Sequence, residues 1–354
     1  MSGYAESAAP RVAVISGSMG AGHDGAAREL VRELTAAGYA ADRHDFLDLL
    51  GPRAGRALRG LYARQLRVAP RSWGWLLGNL GRHPALNAGV ADLVARAAAP
   101  RMRAALGPEL SAVVSTYPLA SQALGRLRRR GELAAPAVTF LTDLSVHPLW
   151  VAPGIDLHLA LHEVAAGQAR DRGAARVDVV GPLVAPAFRE AAPMALPVDG
   201  PVALVVAGSW GVGEIAETAA EIAATGLATP VTVCGHNEQL RRRIAAAGTG
   251  LALGWVTGMP ALVRAAGVVV QNAGGLTSLE AMSAGVPVIS YRCLPGHGTT
   301  NAQALDRAGL APWVTGPDGL AAALRAALSG GPPPAAERLF AGTSAVSALK
   351  ALVT

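Results

Sequence analysis

A handful of histidines, carboxylates and glycines in this 354-residue chain have the types and spacing to do chemistry. The first group is Gly17-Ser-Met-Gly20-Ala-Gly22-His23-Asp24, directly after the apolar run 12–16. A strand, a glycine-rich turn and a helix start present backbone N–H groups where the helix dipole favours anions. The same dipole disfavours an imidazolium, so His23 is expected to stay neutral and to accept a proton, as a general base does. The order G-x-x-G-x-G departs from the dinucleotide fingerprint G-x-G-x-x-G, although Asp42 and Asp45 stand near the distance expected of a ribose-binding acid. Gly17 and Gly22 have P-loop spacing, but His23 and Asp24 replace the lysine and the hydroxyl, which argues against nucleoside triphosphate hydrolysis.

A second group, Thr142-Asp143-Leu-Ser-Val-His147-Pro148, follows the apolar run 137–141, so Asp143 can orient or polarise a base with His147 nearby. The second half of the chain carries a different set. Gly208, Ser209 and Gly211 form another glycine turn, and Asn237 ends Cys234-Gly-His-Asn. Trp255, Val256 and Met259 occupy one loop. Gly274, Gly275, Leu276, Thr277 and Glu280 open a helix. Such a helix start can bind a diphosphate, and a carboxylate in its second turn can take two ribose hydroxyls. Gly296, His297 and Asn301 lie on a loop suited to sugar hydroxyls.

These groups need strands to position them. Apolar runs at 12–16, 112–115, 137–141, 157–161, 178–180, 202–206, 231–234, 268–271 and 288–291 alternate with Ala/Leu/Arg helical stretches. Continuous rather than alternating apolar runs suit strands buried on both faces of parallel sheets. The segment 12–22 is echoed at 202–213, each a strand followed by G-S-x-G-x-G. The expectation is α/β with two Rossmann-like domains, one over 1–188 and one over 202–334, joined by a Pro-rich linker over 189–201, with a helix over 335–354 that packs back toward the first domain.

Composition narrows the partners. Hydrophobic residues make up 51% and charged residues 16%, which excludes intrinsic disorder. Two cysteines exclude a disulfide framework, and no charge-free run is long enough to span a bilayer. With no signal-peptide pattern, the expected location is cytoplasmic. Residues 1–189 hold 22 Arg against 15 acids, and 53–103 alone hold ten Arg and one acid, Asp92. There Arg56, Arg59 and Arg67 interleave with Leu58, Leu61, Leu66, Trp73, Trp75, Leu76 and Leu77, a pattern expected to dock on the anionic inner face of the cell membrane. No recognisable nucleic-acid module surrounds it, so nucleic acid is not expected as a partner.

The motifs in their order resemble those of GT-B glycosyltransferases of the group containing MurG, monogalactosyldiacylglycerol synthases and processive diacylglycerol glucosyltransferases. SGSMGAGHDGAA, TDLSVHPLW, VVGPLVAPAF, VCGHNEQLRRRI and GWVTGMPALVRAAGVVVQNAGGLTSLEAMSAGVPVI carry the resemblance, over about residues 11–330. It implies a GT-B fold with two sheets facing across a cleft, with acceptor binding in the first domain and nucleotide-sugar binding in the second. It implies an inverting transfer of a hexose from a UDP-sugar to a lipid or other hydrophobic hydroxyl, with no metal in the chemistry. His23 would be the base, with Asp143 and His147 lining the cleft. Ser209, Gly274, Gly275 and Thr277 would surround the diphosphate, Glu280 would hold the ribose, and the 255–259 loop would lie against uracil. Two departures stand out: G-A-G-H replaces G-G-G-H, and the sugar-contacting P-G-Q-E reads Pro295-Gly-His297-Gly298. Transfer to a soluble secondary metabolite, a UDP-sugar epimerase or hydrolase, a non-catalytic nucleotide-sugar or lipid binder and an NAD-dependent enzyme stay open. The hexose stays open among glucose, galactose and N-acetylglucosamine.

Overall fold

A computed structural model describes residues 9–68 and 82–353 of the chain. Twelve strands form two six-stranded sheets among the described residues. The first sheet comprises β1 (Arg11–Ser16), β2 (Ala40–Asp45), β3 (Ala112–Ser115), β4 (Ala137–Phe140), β5 (Leu157–Ala160) and β6 (Val177–Val179), in the order β2-β1-β3-β4-β5-β6. The second comprises β7 (Val202–Val206), β8 (Thr229–Val233), β9 (Leu251–Leu253), β10 (Val268–Gln271), β11 (Val288–Tyr291) and β12 (Trp313–Val314), in the order β12-β11-β10-β7-β8-β9. Every neighbouring pair is parallel. The strand order reverses beside β1 in one sheet and beside β7 in the other. In open α/β sheets a ligand crevice forms outside the carboxyl ends of strands at such switch points. The turns after β1, β7 and β10 carry the glycine groups.

The central strands are buried along their whole length, which is why they read as uninterrupted Val/Ala/Leu runs. β2, β9 and β12 were not expected from the sequence. All three lie at sheet edges, where β2 (AADRHD) has no fully buried residue and β9 and β12 are only three and two residues long.

The two sheets share one apolar cluster, running from Val14 and Leu30 through Leu183 and Phe188 to Leu204 and Leu279. The C-terminal helix Ala345–Val353 joins it through Ala345 and Leu349, and Gly181 N–H donates to Thr343 O at 2.9 Å just before that helix. The segment after the short helix Ala187–Glu190 runs along the second domain, where Met194 N–H donates to Ala261 O and Arg264 Nε to Ala191 O. No described helix is long and apolar enough to cross a membrane. Trp73, Trp75, Leu76 and Leu77 lie outside the described residues.

Candidate functional site

His23 is the third residue of the helix Ala21–Ala36, which starts in the turn after β1. Its ring lies edge-on to Tyr117 at 5.3 Å and tilted against Trp150 at 5.7 Å. Gly17 makes room for this: a Cβ there would lie 2.6 Å from the Tyr117 ring. Thr116 Oγ1 donates to the His23 carbonyl at 3.0 Å, and Thr142 Oγ1 lies 3.4 Å from His23 Nδ1. Asp45 pins the glycine turn from below, accepting from the Ser18 N–H and hydroxyl, the Leu47 N–H and Arg59. Burial pushes the His23 pKa below its ordinary 6.5; Asp143 pulls it up and His297 pushes it further down. The imidazole is therefore neutral at pH 7, as a base must be.

The second domain closes over this ring. Gly274 and Gly275 follow β10 with φ of 74° and 68°, a region closed to most side chains, and open the helix Leu276–Ser283. Leu276 inserts over the helix bearing His23, where a Cβ on Gly25 would lie 2.4 Å from its Cδ2. Its side chain is an interdomain knob, while its backbone N–H lies at the helix start. A Cβ on Gly275 would lie 2.7 Å from Asp143 Oδ1, so the Asp143 carboxylate abuts the start of the opposite helix. His297 Nε2 reaches Asp143 Oδ2 at 3.5 Å. Asn301, 1% exposed, accepts hydrogen bonds from the N–H groups of Leu144 and Ser145, both at 3.2 Å. Its Nδ2 has no partner and faces Gly274, where a Cβ would meet it at 2.0 Å. His23, Thr142 and Asp143 of one domain thus meet Gly274, Gly275, His297 and Asn301 of the other.

The remaining expected residues lie on neighbouring loops. Gly208 and Gly211 have φ of 66° and 57° after β7, and the Ser209 carbonyl accepts from His236 N–H at 3.0 Å. Asn237 spends its amide on structure: Nδ2 donates to Gly211 O at 2.9 Å, and Oδ1 caps the helix Glu238–Ala247 through Leu240 N–H. Trp255 is 55% exposed and stacks flat on His236 at 4.3 Å, while Val256 and Met259 pack toward the core. Thr277 and Gly296 are half-buried beside this group. Glu280 is half-buried, and desolvation pushes its pKa up to about 8 against the lowering influence of Arg28. His147 caps the 3-10 turn Pro148–Trp150, its Nδ1 accepting from Leu149 N–H at 3.2 Å, and lines a cavity beside the cluster. Sequence reasoning did not single out Tyr117. Its signal was its place immediately after the strand-end Ser115-Thr116 pair and before the helix Pro118–Arg129.

Residues 23–184 match the family described as monogalactosyldiacylglycerol (MGDG) synthase. The chain is similar to the processive diacylglycerol beta-glucosyltransferase of Bacillus subtilis (strain 168), 27% identical over 214 residues that cover 56% of each chain. It is similar to the protein of the same name from Bacillus cereus (strain B4264), 26% identical over 56% of this chain and 55% of that one. The chain therefore matches little more than half the length of these relatives. Among solved structures it resembles the glycotransferase of kitacinnamycin, with TM-score 0.61, 18% identity, and coverage of 97% of this chain and 98% of that one. It resembles Medicago truncatula UGT71G1 complexed with UDP-glucose, with TM-score 0.60, 13% identity and 98% coverage of both. It also resembles spinosyn rhamnosyltransferase SpnG complexed with thymidine diphosphate, with TM-score 0.61, 16% identity, and coverage of 98% and 100%. The fold is that of the GT-B glycosyltransferases, and the motif resemblance to the diacylglycerol glycosyltransferase group is matched by both the family model and the named relatives.

Proposed function

We propose that this chain is a glycosyltransferase that moves a hexose from a UDP-sugar to the hydroxyl of a diacylglycerol-type lipid with inversion. The observation that carries the reading is the convergence of a half-buried, neutral His23 and a buried Asp143 on the glycine opening of the helix Leu276–Ser283. Proton acceptor and leaving-group site then face each other across the interdomain cleft. His23 takes the acceptor proton as the oxygen attacks the anomeric carbon from the face opposite the departing UDP. The backbone N–H groups at Gly275–Thr277, with the unpartnered Asn301 Nδ2, stabilise the charge developing on the diphosphate, while the Gly274 N–H donates to Gln271 Oε1. Glu280 takes the ribose hydroxyls, and Trp255 offers its open face to the base. The closed packing around Leu276 excludes water and so favours transfer over hydrolysis. In this reading no metal takes part in the displacement.

Access to a lipid acceptor is supported by exposed apolar side chains on two helices. Leu61 lies on Pro52–Val68, and Leu86, Val90 and Leu93 fall on one face of Pro84–Leu106. Exposed Arg53, Arg56, Arg96, Arg101 and Arg103 lie on the same two helices. An apolar stripe with a basic surround suits the surface of an anionic bilayer, which would hold the protein peripherally on the cytoplasmic face. The test is product analysis by mass spectrometry after incubation with UDP-glucose, UDP-galactose or UDP-N-acetylglucosamine and diacylglycerol in mixed micelles. A glycosyl-diacylglycerol from one donor is expected. Free hexose without glycolipid would point to a hydrolase.

A further inference from the structure

Arg292 directly follows β11 and opens the segment that carries Gly296 and His297. Its φ of 45° is the sole positive value at a non-glycine residue among the described ones. A left-handed backbone disfavours any residue with a Cβ, so it persists only where surrounding contacts over-determine it. Here the side chain supplies those contacts. Arg292 Nε and Nη2 donate to the two carboxylate oxygens of Glu221 at 2.9 and 2.6 Å, and Nη1 donates to Glu214. The Tyr291 hydroxyl donates to the same Glu221 at 2.7 Å, and the Arg292 bond holds that carboxyl below its ordinary range. Glu221 lies on the helix Ile215–Ala224, and Glu214 stands at its N-cap, immediately after the glycine turn 208–213. One guanidinium thus ties the end of β11 to the helix that follows β7.

The turn and the loop that this tie brackets also touch. Asn272, after β10, bridges them: its Nδ2 donates to Val212 O at 2.7 Å, and its carbonyl accepts from Leu294 N–H at 2.7 Å. A Cβ on Gly213 would lie 3.2 Å from Leu294 Cδ2, and one on Gly298 would lie 2.8 Å from Asn272 O. The turn has anchors that do not involve Arg292, through Asn237 to Gly211 O and Asn272 to Val212 O. Loss of Arg292 therefore loosens the 293–298 loop and leaves the 208–213 turn in place.

We propose that Arg292 is a positioning residue for the donor sugar: its guanidinium, held by Glu221 and Glu214, fixes the 293–298 loop against the 208–213 turn and so places His297 at the sugar. The proposal rests on the transferase reading above and assigns the loop's placement to a side chain whose donors are spent on two carboxylates of the same domain. The two-pronged contact with Glu221 needs the planar fork of arginine, which lysine does not offer.

Calorimetric titration with UDP, UDP-glucose, UDP-galactose and UDP-N-acetylglucosamine tests this in the unaltered protein, Arg292→Gly and Glu214→Gln. Glycine meets the backbone demand at position 292 without supplying a guanidinium. In Arg292→Gly, UDP affinity is expected to stay within about twofold while affinity for the tightest UDP-sugar falls roughly tenfold. Glu214→Gln should move the same ratio in the same direction by roughly threefold, and the double variant should be no worse than Arg292→Gly alone, since both act through one contact. An unchanged ratio in Arg292→Gly overturns the proposal, because the backbone conformation alone would then suffice. So does an equal loss for UDP and UDP-sugar, the mark of a general structural role. Arg292→Lys replaces Arg292→Gly if denaturation shows the latter unfolded, and its expected loss in the ratio is roughly threefold or more. If the unaltered protein binds no UDP-sugar, the transferase reading fails, while hydrogen exchange in the ligand-free protein still judges the loop. Amides in 293–298 should exchange roughly tenfold faster in Arg292→Gly, and unchanged exchange overturns the proposal.

Discussion

His297 Nε2 lies 3.5 Å from Asp143 Oδ2, a contact between the donor-side loop of one domain and the acceptor-side loop of the other. The same Asp143 raises the pKa of His23, and His297 lowers it. One carboxylate therefore serves two imidazoles. The exchange of P-G-Q-E for P-G-H-G in the motif puts an ionisable ring where the resemblance leads one to expect an amide, so donor loop and base are electrostatically linked.

That link gives two shifts of opposite sign. Asp143→Asn removes the largest influence raising the His23 pKa, so the acid limb of kcat/KM moves to lower pH and the base weakens. His297→Ala removes a lowering influence, so the limb moves to higher pH. Rate profiles from pH 4.5 to 9 read both; movement in the same direction in the two variants would contradict the arrangement.

Glu280 has its pKa raised to about 8 by burial. Ribose hydroxyls donate to the ionised carboxylate, so ligand binding selects the deprotonated form. UDP affinity should rise between pH 7 and 9, and Glu280→Gln should weaken it roughly tenfold or more and flatten the pH dependence. Calorimetric titration across that range measures it.

Gly275 combines φ of 68° with the close approach of Asp143. Gly275→Ala should destabilise the protein by about 1–2 kcal/mol through its left-handed backbone alone. It should also displace Asp143 and lower turnover by more than the stability loss explains. Chemical denaturation and steady-state rates, compared with Gly309→Ala, separate the two effects: Gly309 also has positive φ, at 65°, but open space around its Cα.

His158 on β5 is buried, and desolvation lowers its pKa to about 4, against its ordinary 6.5. The unfolded chain binds a proton there at a pH where the folded chain does not. Its contribution to stability is complete above pH 6.5 and is lost as pH falls toward 4, to a total of about 3 kcal/mol. Denaturation midpoints should fall over that window, and His158→Phe should flatten the fall.

What the sequence made legible follows from burial. Strands β1, β3, β4, β7, β10 and β11 are buried on both faces, and their apolar runs announced them. The edge strands β2, β9 and β12 have no such requirement and left no pattern. His23 and Asp143 were singled out because each stands next to a strand end or a glycine turn, and Glu280 because it follows a glycine turn by just over one helical turn. The knob role of Leu276, the cap role of Asn237 and the enclosure of His23 by Tyr117 were not. Each depends on a residue distant in the chain, which local spacing does not encode.

At the closed interdomain site His23 is placed to remove the acceptor proton. Single-turnover transfer by the unaltered chain and by His23→Ala, with UDP affinity measured in parallel, tests it most directly. The expected outcome is a product with inverted anomeric configuration, a rate roughly 10²–10⁴-fold lower in His23→Ala, and UDP affinity within about twofold. Transfer by His23→Ala at the rate of the unaltered chain would contradict it.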